Sequence, residues 1–223
     1  MSAKEKQYNA CFDLIKEQGY VSLGAMSSHT WICDPKRLLF VLSRYKFVAK
    51  MFDGFTRVLE VGCADAFASR VVAQAVDQLT VTDFDPLFVE DAKKRKCGSY
   101  DFECRMHDML KGPIKENFEG AYALDVLEHI PRESEAVFLK HIAQSLSSTG
   151  SLIIGMPSLN SQRFASKLSK EGHVNCKSFA DLRETCRQHF ANVFVFSLND
   201  EVVHTGFHEM ANYFLALCCM PHS

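Results

Sequence analysis

The chain has no C-x-x-C pair, no apolar run near the roughly 20 residues a membrane-spanning helix needs, and no excess of charge of either sign. Without closely spaced cysteines a zinc ribbon is excluded. The nine cysteines are odd in number and scattered from position 11 to 219, so they read as reduced thiols serving as small core residues. That usage predicts a cytoplasmic location. A net charge of −2 gives no reason to expect nucleic acid or an anionic membrane as partner. The first seven residues are polar and carry no apolar signal core. Internal repeats, low-complexity tracts and Gly/Pro/Ser-rich linkers are also missing. With 223 residues, 47% of them hydrophobic, the chain is predicted to form one domain over 1–223. Within it, 1–54 form a helical cap or lid and 55–223 the core. Composition does not bear on oligomeric state.

What is present is most legible between positions 57 and 67. An apolar run, Arg57-Val58-Leu59-Glu60-Val61, ends in Gly62-Cys63-Ala64-Asp65-Ala66-Phe67 and passes into a helical pattern. This reads as a buried parallel strand turning sharply into a helix, a place where backbone can approach a nucleoside closely. Asp83 follows Gly62 by 21 positions, at the end of the next apolar run. A carboxylate there can accept both hydroxyls of a ribose, one βαβ step after the turn. Positions 62, 64 and 67 read Gly, Ala and Phe, so the G-x-G-x-x-G of a dinucleotide site is missing.

Strands are predicted at 57–61, 78–82, 100–104, 120–124 and 151–155, with helices at 67–76, 86–96 and 131–147 between them. Helices are also expected at 8–16, from Asp34-Pro35 to about 52, and at 178–189, with 19–33 a loop or lid. Two further runs, 191–198 and 210–219, have no room for a helix between them and predict an antiparallel pair. The expected fold is therefore α/β: a Rossmann-like, doubly wound sheet of five parallel strands with a C-terminal antiparallel hairpin and an N-terminal helical cap.

Four motifs in order, within about residues 57–182, resemble the class I S-adenosylmethionine-dependent methyltransferases. Val58-Leu59-Glu60-Val61-Gly62-Cys63 is similar to the strand-1 signature, and Asp83-Phe84-Asp85-Pro86 to the acid after strand 2. His107-Asp108-Met109-Leu110 resembles the adenine-contacting turn. Leu124-Asp125-Val126-Leu127-Glu128-His129-Ile130-Pro131 resembles the segment of the ubiquinone-biosynthesis and sugar-modifying branches. The resemblance implies S-adenosyl-L-methionine as cofactor, held by Glu60, Gly62, Cys63, Ala64, Asp83, Phe84, Asp108, Met109 and Asp125. Asp85 is the rival of Asp83 and reads as the cap of the following helix. In similar enzymes an arginine on the helix before strand 1 approaches the cofactor carboxylate, and Arg44 has that spacing. Ala64 and Ala66 depart from the family's glycines; a positive φ at either would be costly.

Methyl transfer from a sulfonium is an in-line displacement, and an oxygen acceptor needs a base for its proton. His129, just beyond strand 4, is the first candidate; capping the next helix is its plainer reading. His173 is the second, and Glu128 would orient either one. The expected function is methyl transfer to an oxygen or nitrogen of a small polar acceptor such as a sugar. Asp125-x-x-Glu128-His129 with a later His173 also resembles the metal arrangement of small-RNA 2′-O-methyltransferases and some quinone O-methyltransferases, which makes metal-assisted RNA ribose methylation the alternative. No metal is assigned from sequence alone. A non-catalytic binding module on the same fold is the remaining reading.

Overall fold

The computed structural model describes residues 3–95 and 99–222. The helices are α1 (Asn9–Gln18), α2 (Ala25–Cys33), α3 (Pro35–Met51), α4 (Ser69–Ala73), α5 (Pro86–Lys93), α6 (Arg132–Ser145), α7 (Lys167–Gly172) and α8 (Phe179–Arg187). The strands are β1 (Arg57–Val61), β2 (Gln78–Asp83), β3 (Glu103–Met106), β4 (Phe118–Leu124), β5 (Leu146–Pro157), β6 (Phe190–Asn199), β7 (Val202–Thr205) and β8 (Tyr213–Pro221). They form one sheet in the order β3-β2-β1-β4-β5-β8-β6-β7. The first five run parallel; β8 lies antiparallel between β5 and β6.

Side chains alternate across the sheet as a period of two requires. Leu59, Ala121, Ala123, Leu152 and Ile154 face α6 and α8, packing on Phe138, Leu139, Ile142 and Leu182. Val58, Tyr122, Leu124 and Ile153 face α3, α4 and α5, packing on Val48, Val72 and Ala92. Both faces are covered, which is why the central strands read as nearly continuous apolar runs. The strand order reverses between β1 and β4, and in open α/β sheets ligands bind at such a switch point, above the carboxyl ends of the strands.

Four expectations are corrected in detail. Residues 25–33, expected as loop, form α2. The helix expected over 67–76 shortens to α4, because the turn before it stays irregular through Ala68. Strand 3 lies at Glu103–Met106, displaced toward the C-terminus from 100–104. The linker expected between the last two runs holds an extra strand, β7, which pairs with β6 and forms the outer edge in place of β6. The expected end of the second helix at Lys96, and Cys97, lie outside the described residues.

Candidate active site

The turn after β1 is built on Gly62, at φ +78°. A Cβ there would lie 2.5 Å from Val126 Cγ2, so the position excludes any larger residue. The N–H groups of Gly62 and Cys63 both donate to the Thr82 carbonyl, at 2.8 and 2.9 Å, tying the turn to β2. Ala64 and Ala66 adopt φ +45° and +53°. These are the left-handed conformations in which an L side chain costs roughly 1–2 kcal/mol, so the turn stores strain. Cys63 is buried, and its hydrogen bond with Cys104, together with burial, raises its thiol pKa far above the usual value. It stays protonated and has no nucleophilic character.

Asp83 ends β2 and is buried. Its Oδ2 accepts the Ala64 N–H at 3.0 Å and its Oδ1 the Asp85 N–H at 3.0 Å. Both oxygens keep further lone pairs. Asp85 caps α5 by accepting from Leu87 N–H at 2.8 Å, the role expected of the rival acid. Phe84, 72% exposed, stands beside Asp83 in solvent. Asp108 folds its own turn, accepting Leu110 N–H at 3.0 Å, and pairs with Lys111 at 3.3 Å. Met109 is buried, its carbonyl facing His141 Nδ1 at 2.7 Å. A carbonyl only accepts, so that nitrogen carries the proton.

Glu60 is placed beneath the turn with both oxygens already engaged. The Tyr45 phenol donates to Oε1 at 2.7 Å and the Tyr122 phenol to Oε2 at 2.6 Å. Burial raises the Glu60 pKa, and these two donors oppose the rise. It thereby ties α3 to β4 beneath the turn. Sequence reasoning missed the two tyrosines as partners. The signal was available: a strand-interior acid demands donors, and Tyr45 and Tyr122 lie on the two elements that cover it.

Arg44 does not stand free over the crevice. Its Nη1 donates to both oxygens of Asp125, at 2.9 and 2.7 Å, and its guanidinium lies 3.6 Å from the centre of the Tyr213 ring. Burial works against the Arg44 charge and Asp125 more than offsets it, so the group stays above its usual pKa. Asp125, just past β4, itself sits at φ +57°.

Beyond it, Glu128, His129 and His173 converge, with one ligand-type atom of each within 4.8 Å of the others. The two imidazole rings meet edge to face at 5.0 Å. His129 Nδ1 faces the Gly172 carbonyl at 2.9 Å and His173 Nδ1 faces Gln162 Oε1 at 2.8 Å. Both partners accept, so each Nδ1 donates to them, and in a neutral ring Nε2 then carries the lone pair. Burial first, then His129, lowers the His173 pKa and keeps that ring neutral. Glu128 is almost fully buried, and its Oε2 has no hydrogen-bond partner among the described residues. Burial first and Asp125 second raise its pKa well above the carboxylate range. Its backbone carbonyl accepts from Val174 and Asn175, which fixes the segment bearing His173 against the end of β4.

A strand-order switch, an acid at the tip of β2 and an imidazole–carboxylate cluster past β4 thus lie at the carboxyl ends of the strands of a doubly wound sheet. Residues 59–154 match the family model described as a methyltransferase domain. Over those residues the chain is thus similar to methyltransferase domains, and its fold is the Rossmann-like fold of solved S-adenosylmethionine-dependent methyltransferases. Solved structures share the fold at low identity. N-methyltransferase NodS from Bradyrhizobium japonicum WM9, in complex with S-adenosyl-L-homocysteine, is 19% identical with TM-score 0.61, covering 85% of this chain and 87% of that one. The methyltransferase domain of bacterial CtHen1-C is 13% identical with TM-score 0.65, covering 81% and 98%. A TehB-like enzyme from Corynebacterium glutamicum ATCC 13032 is 16% identical with TM-score 0.59, covering 81% and 87%. No curated protein sequence matches this chain.

Proposed function

We propose that this protein transfers the methyl group of S-adenosylmethionine to a hydroxyl of a small acceptor, with the Glu128/His129/His173 cluster on the acceptor side. The observation that carries this is the pair of imidazoles whose Nδ1 atoms are tied to fixed acceptors, leaving two Nε2 lone pairs beside a buried carboxyl. In the cofactor crevice, Asp83 would accept the ribose hydroxyls, with Phe84 beside it. The turn at Gly62, Cys63 and Ala64 would receive the methionine end, which Arg44 also approaches, and Asp108 and the Met109 backbone the adenine. Asp125 would hold Arg44 in place, and Glu60 would brace the turn from below.

The acceptor oxygen attacks the methyl carbon in line with the departing sulfur. S-adenosylmethionine would supply the electrophilic methyl and leave as neutral S-adenosylhomocysteine, its sulfur keeping the C–S electron pair, while Nε2 of His129 or His173 would take the acceptor proton. A nitrogen acceptor would not call for two aligned bases. A cavity of about 310 Å³ lined by Phe179, Phe207 and Phe214 shares Ser158 and Leu159 with the turn that carries Gln162. That volume suits a small molecule. The free thiols among the described residues favour a cytoplasmic setting.

A second reading shares the same residues and rests on the unpartnered Glu128 Oε2. A hard divalent cation fits a carboxylate and two imidazoles held by outer hydrogen bonds. When bound it would supply Lewis acidity that lowers the acceptor hydroxyl's pKa. Glu128 would then be ionised and the two Nδ1 contacts would keep the rings oriented. RNA ribose methylation belongs to this reading, and the chain's near-neutral charge favours a small acceptor over it.

The test is transfer of labelled methyl from S-adenosylmethionine to a panel of hydroxyl and amine acceptors, before and after chelation. Hydroxyl-selective transfer that falls at least about 100-fold in His129→Ala supports the reading. Transfer confined to amines would sink it. Loss on chelation with recovery on adding magnesium or zinc would select the cation reading.

A further inference from the structure

The N-terminal end of α2 is held by the cofactor turn and not by its own sequence. Gly24 precedes α2 and supplies no side-chain cap. Instead the Asp65 carboxylate, from inside the 62–66 turn, accepts the Ser27 N–H at 2.6 Å and the Ser27 hydroxyl at 3.2 Å. It fills the place of an N-cap side chain from 38 residues away in sequence. Next to it, Asp91 on α5 accepts the Ala25 N–H at 2.9 Å. Arg95 joins the two anchors, donating from Nε to the Asp65 carbonyl at 2.7 Å and from Nη1 to Asp91 at 3.1 Å. Gly24 lies so close to this junction that a Cβ would come within 2.7 Å of both Arg95 Cζ and Asp65 Cβ, and its φ is +92°.

The same aspartate sits between the two alanines held at positive φ. Its Oδ1 also accepts the Phe67 N–H at 3.1 Å, so Asp65 is fixed at its carbonyl and at both carboxylate oxygens. A strained turn persists only where its surroundings over-determine it. Here α2, Arg95 and Asp91 are those surroundings.

We infer that Asp65, Asp91 and Arg95 form a clasp that positions the N-terminal helix α2 on the strained cofactor turn, so that cofactor binding and docking of residues 24–33 are coupled. The inference rests on the cofactor reading above. The three are positioning residues: they act through the turn, and a cofactor that stabilises the turn stabilises α2 by the same free energy. The clasp takes over the restraint that the missing glycines would make unnecessary.

The experiment combines S-adenosylhomocysteine calorimetry with hydrogen exchange of the peptide spanning 20–34, which contains the Ala25 and Ser27 amides. Wild type is compared with Asp91→Ala, Asp91→Asn and Gly24→Ala, all checked for cooperative unfolding. None of these substitutions lies in the turn. In wild type, saturating S-adenosylhomocysteine slows exchange of the peptide. Asp91→Ala and Gly24→Ala speed exchange in the free protein and weaken S-adenosylhomocysteine about tenfold, whereas Asp91→Asn, which keeps an oxygen for the Ala25 N–H, stays within about threefold of wild type. Unchanged affinity in Asp91→Ala and Gly24→Ala, or a peptide whose exchange ignores the ligand, overturns the clasp while leaving the methyltransferase reading intact. Wild type that fails to bind S-adenosylhomocysteine overturns both.

Discussion

At the residue scale the site depends on groups held in states they would not choose in water. Glu128 is the sharpest case: burial and Asp125 hold its folded pKa well above its unfolded value. A carboxyl whose pKa rises on folding contributes stability that is fully present below the unfolded pKa and is lost as pH rises through the folded pKa. Glu128→Gln should therefore leave the free protein unchanged near pH 4 and stabilise it at pH 8 and above; urea titrations at the two pH values measure this. His173 has the opposite sense, since its folded pKa lies below the ordinary 6.5. With His173 as base, kcat/KM should fall on acidification with a midpoint below 6.5, and an acidic limb unmoved by His173→Asn would exclude that role. Ala66 tests the strain directly. Ala66→Gly should stabilise the fold by about 1 kcal/mol, read as a rise in Tm of roughly 2–4 °C. Asp83, Asp108, Glu128 and His129 could be singled out in the sequence because each ends a strand or closely follows one, and His173 because it lies in the long segment after β5. The engagement of Glu60 by Tyr45 and Tyr122, and of Arg44 by Asp125, was not legible, because each pair is joined only by tertiary packing.

At the scale of elements, the central strands were readable because both faces of the sheet are covered and their apolar runs are short and bounded. Helix α2 was not, for a physical reason: its cap is Asp65, far away in sequence, so 19–33 shows no local start signal. Strand β7 escaped for the same kind of reason, as its residues are mostly exposed and its pairing with β6 supplies the order. The seam between β5 and β8 shows how tightly neighbouring elements are fitted at the crevice. A Cβ on Gly155 would lie 2.6 Å from both Leu124 Cδ2 and Tyr213 Oη. Gly155→Ala should cost about 1–3 kcal/mol in chemical unfolding and push Tyr213 against Arg44, weakening cofactor affinity as well. A substitution that proved neutral in both would mean that the seam is looser than described.

At the scale of the whole molecule, the proposed function places the cofactor over the parallel half of the sheet and the acceptor beside its C-terminal extension. The strand order puts the turn at Gly62, the acid at Asp83 and the cluster past β4 at the carboxyl ends of neighbouring parallel strands. Cofactor should then stabilise the entire fold by mass action, by about 2.7 kcal/mol at a hundred times its Kd. The most direct measurement is calorimetric titration of S-adenosylhomocysteine into wild type and Asp83→Ala, with thermal unfolding of both in parallel. The account predicts saturable, one-site, micromolar binding to wild type that weakens at least about 100-fold in a folded Asp83→Ala protein. Absence of binding to wild type, or equal affinity in the two proteins, would contradict it.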